Sequence, residues 1–120
     1  MWFITAQFRL TGGRTSNEGR VEVGDGIEWV PVCSHHWNTT SAGVLCRELG
    51  YSGALAAYQG GHFGEGSGDM IYDHFHCEGD EDSLLECTHR RAESDCISPD
   101  NDASVICVPN GMYLLIIKSS

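Results

Sequence analysis

The segment NTTSAGVLCRELG, residues 38–50, carries the strongest local structural signal in this chain. Any of its first four residues can cap a helix, and the glycine at its end is a typical helix stop. Its apolar positions recur at helical spacing and are Ala42, Leu45, Cys46 and Leu49. Cys46 therefore lies on the buried face of a predicted helix, where a disulfide would fix the helix to a sheet.

Strand-like segments surround this helix. Residues 8–10, 19–23 and 27–32 are separated by glycine-rich turns and predict a hairpin or meander, and 70–76 and 103–107 predict two later strands. Residues 83–87 read as a short helical turn. Five of the nine residues at 60–68 are glycine, which predicts an irregular loop and not a phosphate cradle, since no lysine or strand-to-helix context follows.

Six cysteines are spread widely through 120 residues, without a Cys-x-x-Cys pair of the kind found in zinc ribbons or thioredoxin-like sites. An even number at such spacing indicates three disulfides. Disulfides persist in oxidising compartments, so we expect a secreted protein or the ectodomain of a membrane receptor. Export is inferred from the cysteines alone, because residues 1–10 lack the features of a signal peptide.

The chain is acidic, with seven lysines and arginines against seventeen aspartates and glutamates and a formal net charge of −10. This charge opposes non-specific binding to nucleic acids and anionic membranes, and it favours cations and basic partners. The apolar run 112–117 has six residues, whereas a membrane span needs about 20. We expect neither nucleic-acid binding nor membrane insertion by this chain.

Six motifs follow one another along the sequence: Gly19-Arg20-Val21-Glu22-Val23, Trp29 with Cys33, Ala42-x-Val44-x-Cys46-Arg47-x-Leu49-Gly50, Phe63-Gly64-x-Gly66-Ser67-Gly68, Cys77-x-Gly79-x-Glu81-x-Ser83-Leu84-x-x-Cys87, and Asp102-Ala103-x-Val105-Ile106-Cys107. Together they resemble the scavenger receptor cysteine-rich (SRCR) domain. The two extra cysteines of the eight-cysteine form are absent, which points to the six-cysteine subgroup.

The resemblance implies an α+β domain at residues 8–108, with a curved antiparallel sheet cradling one main helix. Residues 1–7 and 109–120 would then be apolar extensions. Strand-like segments with free edges associate, so we expect the two extensions to pair with each other or with a second chain. The resemblance also implies three disulfides, Cys33–Cys96, Cys46–Cys107 and Cys77–Cys87, among the fifteen pairings open to six cysteines.

Domains of this kind commonly bind calcium through carboxylates. The first family site would fall on Ser34, His35 and Asn101, a set too poor in hard oxygen ligands to bind calcium. The second would fall on Asp73, His76 and Asp95, where two carboxylates remain and Ca²⁺ binding is expected. The alternative is that these aspartates cap turns or pair with Arg90 and Arg91.

Histidines mark a departure from the family pattern. His74 and His76, two residues apart on a predicted strand, would point to one face. Helped by His35 or an aspartate, they would suit Zn²⁺ or Cu²⁺, because imidazole nitrogen prefers borderline metals. Without a metal, the same histidines could act as a charge switch near their ordinary pKa.

Candidate ligand-binding residues come from a second resemblance. The segment with Val21, Glu22, Val23 and Trp29 is similar to a stretch linked in some family members to bacteria and polyanions. The alternative is that these apolar residues belong to the core. An anionic ligand would need basic side chains, and the candidates are Arg20, Arg90 and Arg91, together with Arg9, Arg14 and Arg47.

Asn38-Thr39-Thr40 matches an N-glycosylation acceptor, although Asn38 is equally suited to cap the helix. A catalytic role is not expected, because disulfides consume every cysteine and no Gly-x-Ser-x-Gly elbow is present. We therefore expect an extracellular recognition module for protein, glycan or microbial-surface ligands, including anionic ones bound with the help of a cation, as in innate immunity. The alternatives are a self-assembling structural module that uses the terminal strands, and a histidine-rich metal-binding variant.

Overall fold

Strand β2 (Glu18–Gly24) organises the main antiparallel sheet of the computed structural model, which describes residues 7–24, 26–98 and 100–111. Strand β1 (Gln7–Gly12) pairs along one edge of β2. Strands β3 (Trp29–Pro31) and β7 (Ser104–Cys107) share the other edge, β3 at one end and β7 at the other. Strand β4 (Ala54–Tyr58) extends the sheet beyond β7.

Strands β5 (Tyr72–His76) and β6 (Thr88–Arg91) form a separate two-stranded sheet, called the β5–β6 ribbon below. A single 3₁₀ turn, Leu84–Glu86, lies between them, and Ser83 caps it through its hydroxyl. The disulfide Cys77–Cys87 closes the connection. The ribbon is therefore braced covalently at its base, where its two strands end and begin.

Helix α1 (Thr39–Glu48) covers the main sheet by packing against β4 and β7. Asn38 is its N-cap, and its side-chain oxygen accepts a hydrogen bond from Ser41 N at 3.0 Å. The disulfide Cys46–Cys107 joins the buried face of the helix to β7. The predicted helix and the buried position of Cys46 are confirmed.

The core fills the space between helix and sheet with valines, leucines and aromatic rings. Its most deeply buried large side chains are Val21, Val30, Val32, Val44, Leu45, Phe75, Leu84 and Val105. Trp37 joins this core, and its indole nitrogen donates to the carbonyl of Ser104 at 3.1 Å. The α+β architecture with one main helix and three disulfides is the one that the sequence predicts.

The three disulfides have the pairing that the resemblance implies. Cys33–Cys96 and Cys46–Cys107 close loops with sequence separations of 63 and 61, and Cys77–Cys87 closes one of 10. In the chain-entropy picture, the two long loops contribute about 4 kcal/mol each and the short one about 3 kcal/mol. Much of the stability of so small a domain therefore comes from cross-links.

Two strands are missing from the sequence-based prediction. β4 is rich in alanine, and β6 reads Thr-His-Arg-Arg, so neither has the composition of a strand. Each forms because a partner strand, β7 or β5, offers it a hydrogen-bonding edge. The predicted strands at 27–32 and 70–76 are shorter than expected, and β1 is longer than the predicted strand at 8–10.

Residues 1–6 and 112–120, and with them the predicted pairing of the terminal strands, lie outside the described residues. Within the part of the chain that is described, no helix has the length and apolar character needed to cross a bilayer.

Candidate functional site

The loop that follows β3 carries two adjacent histidines to the edge of the β5–β6 ribbon. Cys33 N donates to the carbonyl of Tyr72 at 3.1 Å, and Ser34 N donates to the carbonyl of Asn101 at 2.7 Å. These bonds hold the loop between β5 and the segment that enters β7. His35 and His36 come next in sequence and therefore lie beside β5.

Strand β5 alternates between core and surface. Asp73 and Phe75 are each 1% exposed, whereas His74 is partly exposed and His76 exposed. The pairing with β6 shifts register between Asp73 and His76, and His74 has a φ of 56°. This bulge turns the outer side chains toward the loop after β3.

Four imidazoles meet there and are called the histidine cluster: His35, His36, His74 and His76. The ring centre of His74 lies 5.3 Å from that of His35 and 4.7 Å from that of His36. His36 is also 5.2 Å from His76. The sequence indicated three of these residues as metal ligands but left His36, the ring between His74 and His76, out of the set.

A buried carboxylate supports the cluster from below. Asp73 Oδ2 lies 2.8 Å from His35 Nδ1, and Asp73 Oδ1 accepts the backbone N–H of His74 at 2.8 Å. On the far side of the ring, Asn101 Nδ2 lies 3.4 Å from His35 Nε2. A carboxylate on one side and an amide donor on the other favour the His35 tautomer that carries its proton on Nδ1.

His74 is held differently, against a cation. Arg90 Nη2 lies 2.8 Å from His74 Nε2 and can donate a hydrogen bond to it, while Asp73 Oδ2 lies 3.4 Å from the same ring nitrogen. Desolvation lowers the pKa of His74, and the nearby Arg90 adds to that effect, while the charge of Asp73 opposes it. The neutral imidazole, the form that binds metals, is thereby favoured.

The predicted calcium set does not come together as a calcium site. Asp73 is buried with both oxygens engaged, and the Asp95 carboxylate is 65% exposed, with Oδ2 4.0 Å from His35 Nε2. Cys33 and Cys96 flank this position, but their sulfurs belong to a disulfide and supply no thiolate. Apart from these two carboxylates the nearby donors are imidazoles, whereas Ca²⁺ requires several hard oxygen ligands, so we infer that the residues present do not fit Ca²⁺.

A groove of about 340 Å³ runs along the ribbon on the side of β6 and is called the β6 groove. It is lined by Ile71, Tyr72, His89, Arg90 and Arg91. The His89 ring meets Tyr72 edge-on at 5.3 Å, and its Nδ1 lies 2.7 Å from the carbonyl of Cys87. The groove combines an apolar and aromatic wall with two guanidinium groups.

The sequence as a whole was compared with known families, and the model of the scavenger receptor cysteine-rich domain matches residues 11–108. The chain belongs to this family. Its relatives include lysyl oxidase homolog 3A of Danio rerio, 46% identical over 101 residues that cover 84% of this chain and 14% of the relative. Galectin-3-binding protein of Bos taurus is 39% identical over 109 residues, which cover 89% of this chain and 20% of the relative.

Solved SRCR domains have the same fold. The third SRCR domain of murine neurotrypsin is 35% identical, with a TM-score of 0.76 over 86% of this chain and 96% of that one. The SRCR domain of mouse MARCO, solved in a dimeric form, is 36% identical, with a TM-score of 0.67 over 83% and 93% of the two chains.

This SRCR chain spans about a seventh of lysyl oxidase homolog 3A and a fifth of galectin-3-binding protein. The similarity to lysyl oxidase homologs is thus limited to one domain, and SRCR domains are a non-catalytic recognition fold. Proteins with this domain are extracellular or carry it in an ectodomain, and three disulfides fit that environment.

The predicted ligand segment on β2 of the SRCR domain needs correction. Val21 and Val23 are 0% and 2% exposed and belong to the core, so neither side chain can reach a ligand. Glu22 is also buried, with Arg9 Nη2 at 2.7 Å from Oε1 and Arg20 Nε at 3.0 Å from Oε2. We call these three residues the Glu22 triad.

Trp29 and Arg20, which were also predicted to bind a ligand, contact residues of the Glu22 triad. The guanidinium carbon of Arg9 lies 4.4 Å from the ring centre of the partly buried Trp29, a cation–π contact. The Arg20 side chain is 13% exposed and also contacts the carbonyl of Phe63 at 3.3 Å. The alternation of residues along one strand could not predict this arrangement. Arg9 lies on β1 and Arg20 on β2, and both converge on the carboxylate of Glu22.

The N-cap residue Asn38 is exposed. Its side-chain oxygen is used by the helix, whereas a glycan attaches to the side-chain nitrogen. Capping and glycosylation are therefore compatible at this position, and glycosylation stays a prediction.

Proposed function

We propose that this SRCR domain is an extracellular recognition module that binds anionic glycans, and that the β6 groove is its binding site. The supporting observation is the pair of exposed arginines, Arg90 and Arg91, beside an apolar and aromatic wall. Guanidinium groups form paired hydrogen bonds with carboxylates and sulfates, and rings and aliphatic side chains pack against sugar faces.

The other arginines support this choice by exclusion. Arg9 and Arg20 belong to the Glu22 triad, and Arg14 Nε lies 3.9 Å from a carboxylate oxygen of Glu18. Arg47 donates to the backbone carbonyls of Gly79 and Glu81. Among the described residues, Arg90 and Arg91 are the two arginines that neither pair with a carboxylate nor serve the backbone.

A second cleft, of about 440 Å³, fits an anionic ligand less well. It lies beside the Cys33–Cys96 disulfide, with Asp69 and Glu93 in its lining and no arginine. Its carboxylates would repel an anion, and the net charge of −10 acts in the same direction. Local positive charge on β6 is what overcomes that repulsion, so affinity should fall steeply with salt.

The test is binding to immobilised heparin, a sulfated glycan, in chelator-containing buffer, with Arg91→Ala compared with Arg14→Ala. Both variants remove one exposed arginine, but only the first removes a groove residue. Loss of a charge-assisted contact should weaken binding by about tenfold or more for Arg91→Ala. The control should change it by less than about twofold, because an exposed charge acts weakly at a distance.

Equal losses for the two variants would contradict the β6 groove as the site. Binding to neutral glycans or proteins with no binding to sulfated or sialylated ones would contradict the anionic ligand class. Repeating the measurement at several salt concentrations separates binding at the groove from general electrostatic attraction. The dependence of affinity on salt concentration should be weaker for Arg91→Ala than for the wild type.

Self-association is the second candidate function, supported by the dimeric form of the mouse MARCO SRCR domain. Light scattering coupled to size exclusion, with and without residues 1–6 and 112–120, tests it. A dimer that needs those residues supports assembly through the termini, whereas a monomer at all concentrations contradicts it.

A further inference from the structure

The exposed side of the histidine cluster is a group of imidazoles that the β6 groove does not use. His36 and His76 are exposed, and neither ring makes a hydrogen bond to any described residue. The His74 ring is partly exposed, and its Nε2 lies 2.8 Å from Nη2 of the exposed Arg90 and 3.4 Å from Oδ2 of Asp73. The ring of His36 lies between those of His74 and His76.

We propose that His36, His74 and His76 bind a borderline divalent transition-metal ion, Zn²⁺ or Cu²⁺. This proposal does not depend on the glycan function proposed above, although Arg90 lines the β6 groove and also contacts His74. His35 acts behind it as a positioning residue, since both of its ring nitrogens already contact Asp73 and Asn101.

The spacing of the rings fits such an ion. Imidazoles that share a tetrahedral metal through nitrogens about 2.0–2.1 Å away have ring centres roughly 5 Å apart. His36 lies 4.7 Å from His74 and 5.2 Å from His76, measured between ring centres. The ring nitrogens of the three histidines are not gathered around a common point in this structure, so binding of an ion requires their side chains to rotate.

The backbone supports the same arrangement. Among the described residues, two that are not glycine have positive φ, and they are His36 at 64° and His74 at 56°. Such conformations are uncommon for residues with a side chain, and local strain of this kind concentrates at functional sites. Here the two residues with this backbone are the two whose rings are closest in the cluster.

The chemistry of the donors selects the metal. Neutral imidazole nitrogens suit Zn²⁺ and Cu²⁺, whereas Ca²⁺ and Mg²⁺ prefer oxygen ligands. The acidic chain attracts cations, but Arg90 occupies Nε2 of His74 and adds a positive charge beside the site. Metal binding must displace this guanidinium, so the ion and Arg90 compete for one lone pair.

The experiment is isothermal titration of the metal-free full chain with Zn²⁺, Cu²⁺ and Ca²⁺. His36→Gly and His74→Gly remove ligands without straining the backbone, because glycine accepts positive φ, and His76→Ala removes the third. His62→Ala is the matched control, since this exposed histidine stacks on Tyr58 at 3.9 Å, outside the cluster.

We expect one Zn²⁺ or Cu²⁺ per chain and no Ca²⁺. Each of the three ligand variants should weaken binding by at least about tenfold, because removing even an outer partner of a ligand costs about 10–100-fold. His62→Ala should leave affinity unchanged, and Arg90→Gln should raise it by several-fold. With Cu²⁺, electron paramagnetic resonance should show coupling to imidazole nitrogens that the ligand variants reduce.

Three results would overturn the proposal: absence of Zn²⁺ and Cu²⁺ binding at micromolar concentration, equal loss in the control, or a preference for Ca²⁺. Thermal unfolding of each variant establishes that it is folded before titration. Heparin binding in chelator is measured in parallel, so failure of the metal site and failure of the glycan site are distinguished.

Discussion

The Glu22 triad and the β5–β6 ribbon both carry arginines beside acidic or aromatic groups, yet the fold uses them in opposite ways. In the triad, Arg9 and Arg20 converge on one buried carboxylate and are consumed by the structure. On the ribbon, Arg90 and Arg91 lie exposed on β6 and line the β6 groove. Charges satisfied within the fold stabilise it, whereas charges left without carboxylate partners are available for recognition.

The sharpest test of this contrast is Glu22→Ala. It leaves Arg20 nearly buried without its carboxylate, and we expect a loss of about 2–3 kcal/mol in the free energy of unfolding. Urea denaturation measures it, with the exposed Glu93→Ala as control. Heparin binding of the folded variant should not change, and a loss of binding with intact stability would reverse the assignment of the two regions.

Asp73→Asn tests a residue that combines both regions' features, because its carboxylate is buried and paired while the histidine cluster above it is exposed. The amide can still accept from the His74 backbone, but its NH₂ group would face the Nδ1–H of His35. We expect a loss of about 1–3 kcal/mol in urea denaturation, since one buried hydrogen bond is broken. Asp95→Asn, at an exposed carboxylate, should cost less than about 0.5 kcal/mol. Equal losses in the free energy of unfolding for the two variants would contradict a stabilising role for the Asp73 hydrogen bonds.

A smaller effect is expected at Asn38, the N-cap of helix α1, where two variants separate capping from glycosylation. Asn38→Ala removes the cap and should destabilise the domain by about 1 kcal/mol, while Asn38→Asp keeps a capping oxygen and should be close to wild type. Both variants remove the glycan acceptor. Expression in a glycosylating host, followed by mass spectrometry, should show a glycan on the wild type alone, and an unmodified wild type would contradict glycosylation.

The smallest effect is expected at the partly exposed Glu81, whose carboxylate accepts the backbone N–H groups of Glu78 and Gly79 at 2.8 and 2.9 Å. These bonds lower the pKa of Glu81 below the ordinary glutamate value. Its stabilising contribution is therefore complete above that ordinary value and is lost as pH falls through the lowered pKa.

Glu81→Gln should accordingly reduce Tm slightly at neutral pH, and the difference from wild type should shrink on acidification. Thermal unfolding between about pH 7 and pH 3 measures this, with the exposed Asp80→Asn as control. A difference that grows at low pH would contradict the role given to these two hydrogen bonds.

The calcium ligands of the family pattern are only partly present in this chain. The resemblance placed carboxylate ligands at positions where this chain has Ser34, His35 and Asn101, and two aspartates at a second site. The structure buries Asp73 and leaves Asp95 exposed, and these two carboxylates alone offer Ca²⁺ few oxygen ligands. The rings that gather beside them are histidines, one of which, His36, stood outside the predicted set.

By itself, the sequence determined the helix at 39–48, the presence of three disulfides and the family, and the resemblance to that family implied the pairing of the cysteines. These features rest on short-range periodicity and on a cysteine framework, which a linear pattern records directly. Tertiary structure alone decided the strands β4 and β6, the burial of Glu22 between two arginines, and the β6 groove. It also placed His36 between His74 and His76. Each of these depends on contacts between residues distant in sequence, and local propensity contains no information about which distant partners the fold brings together.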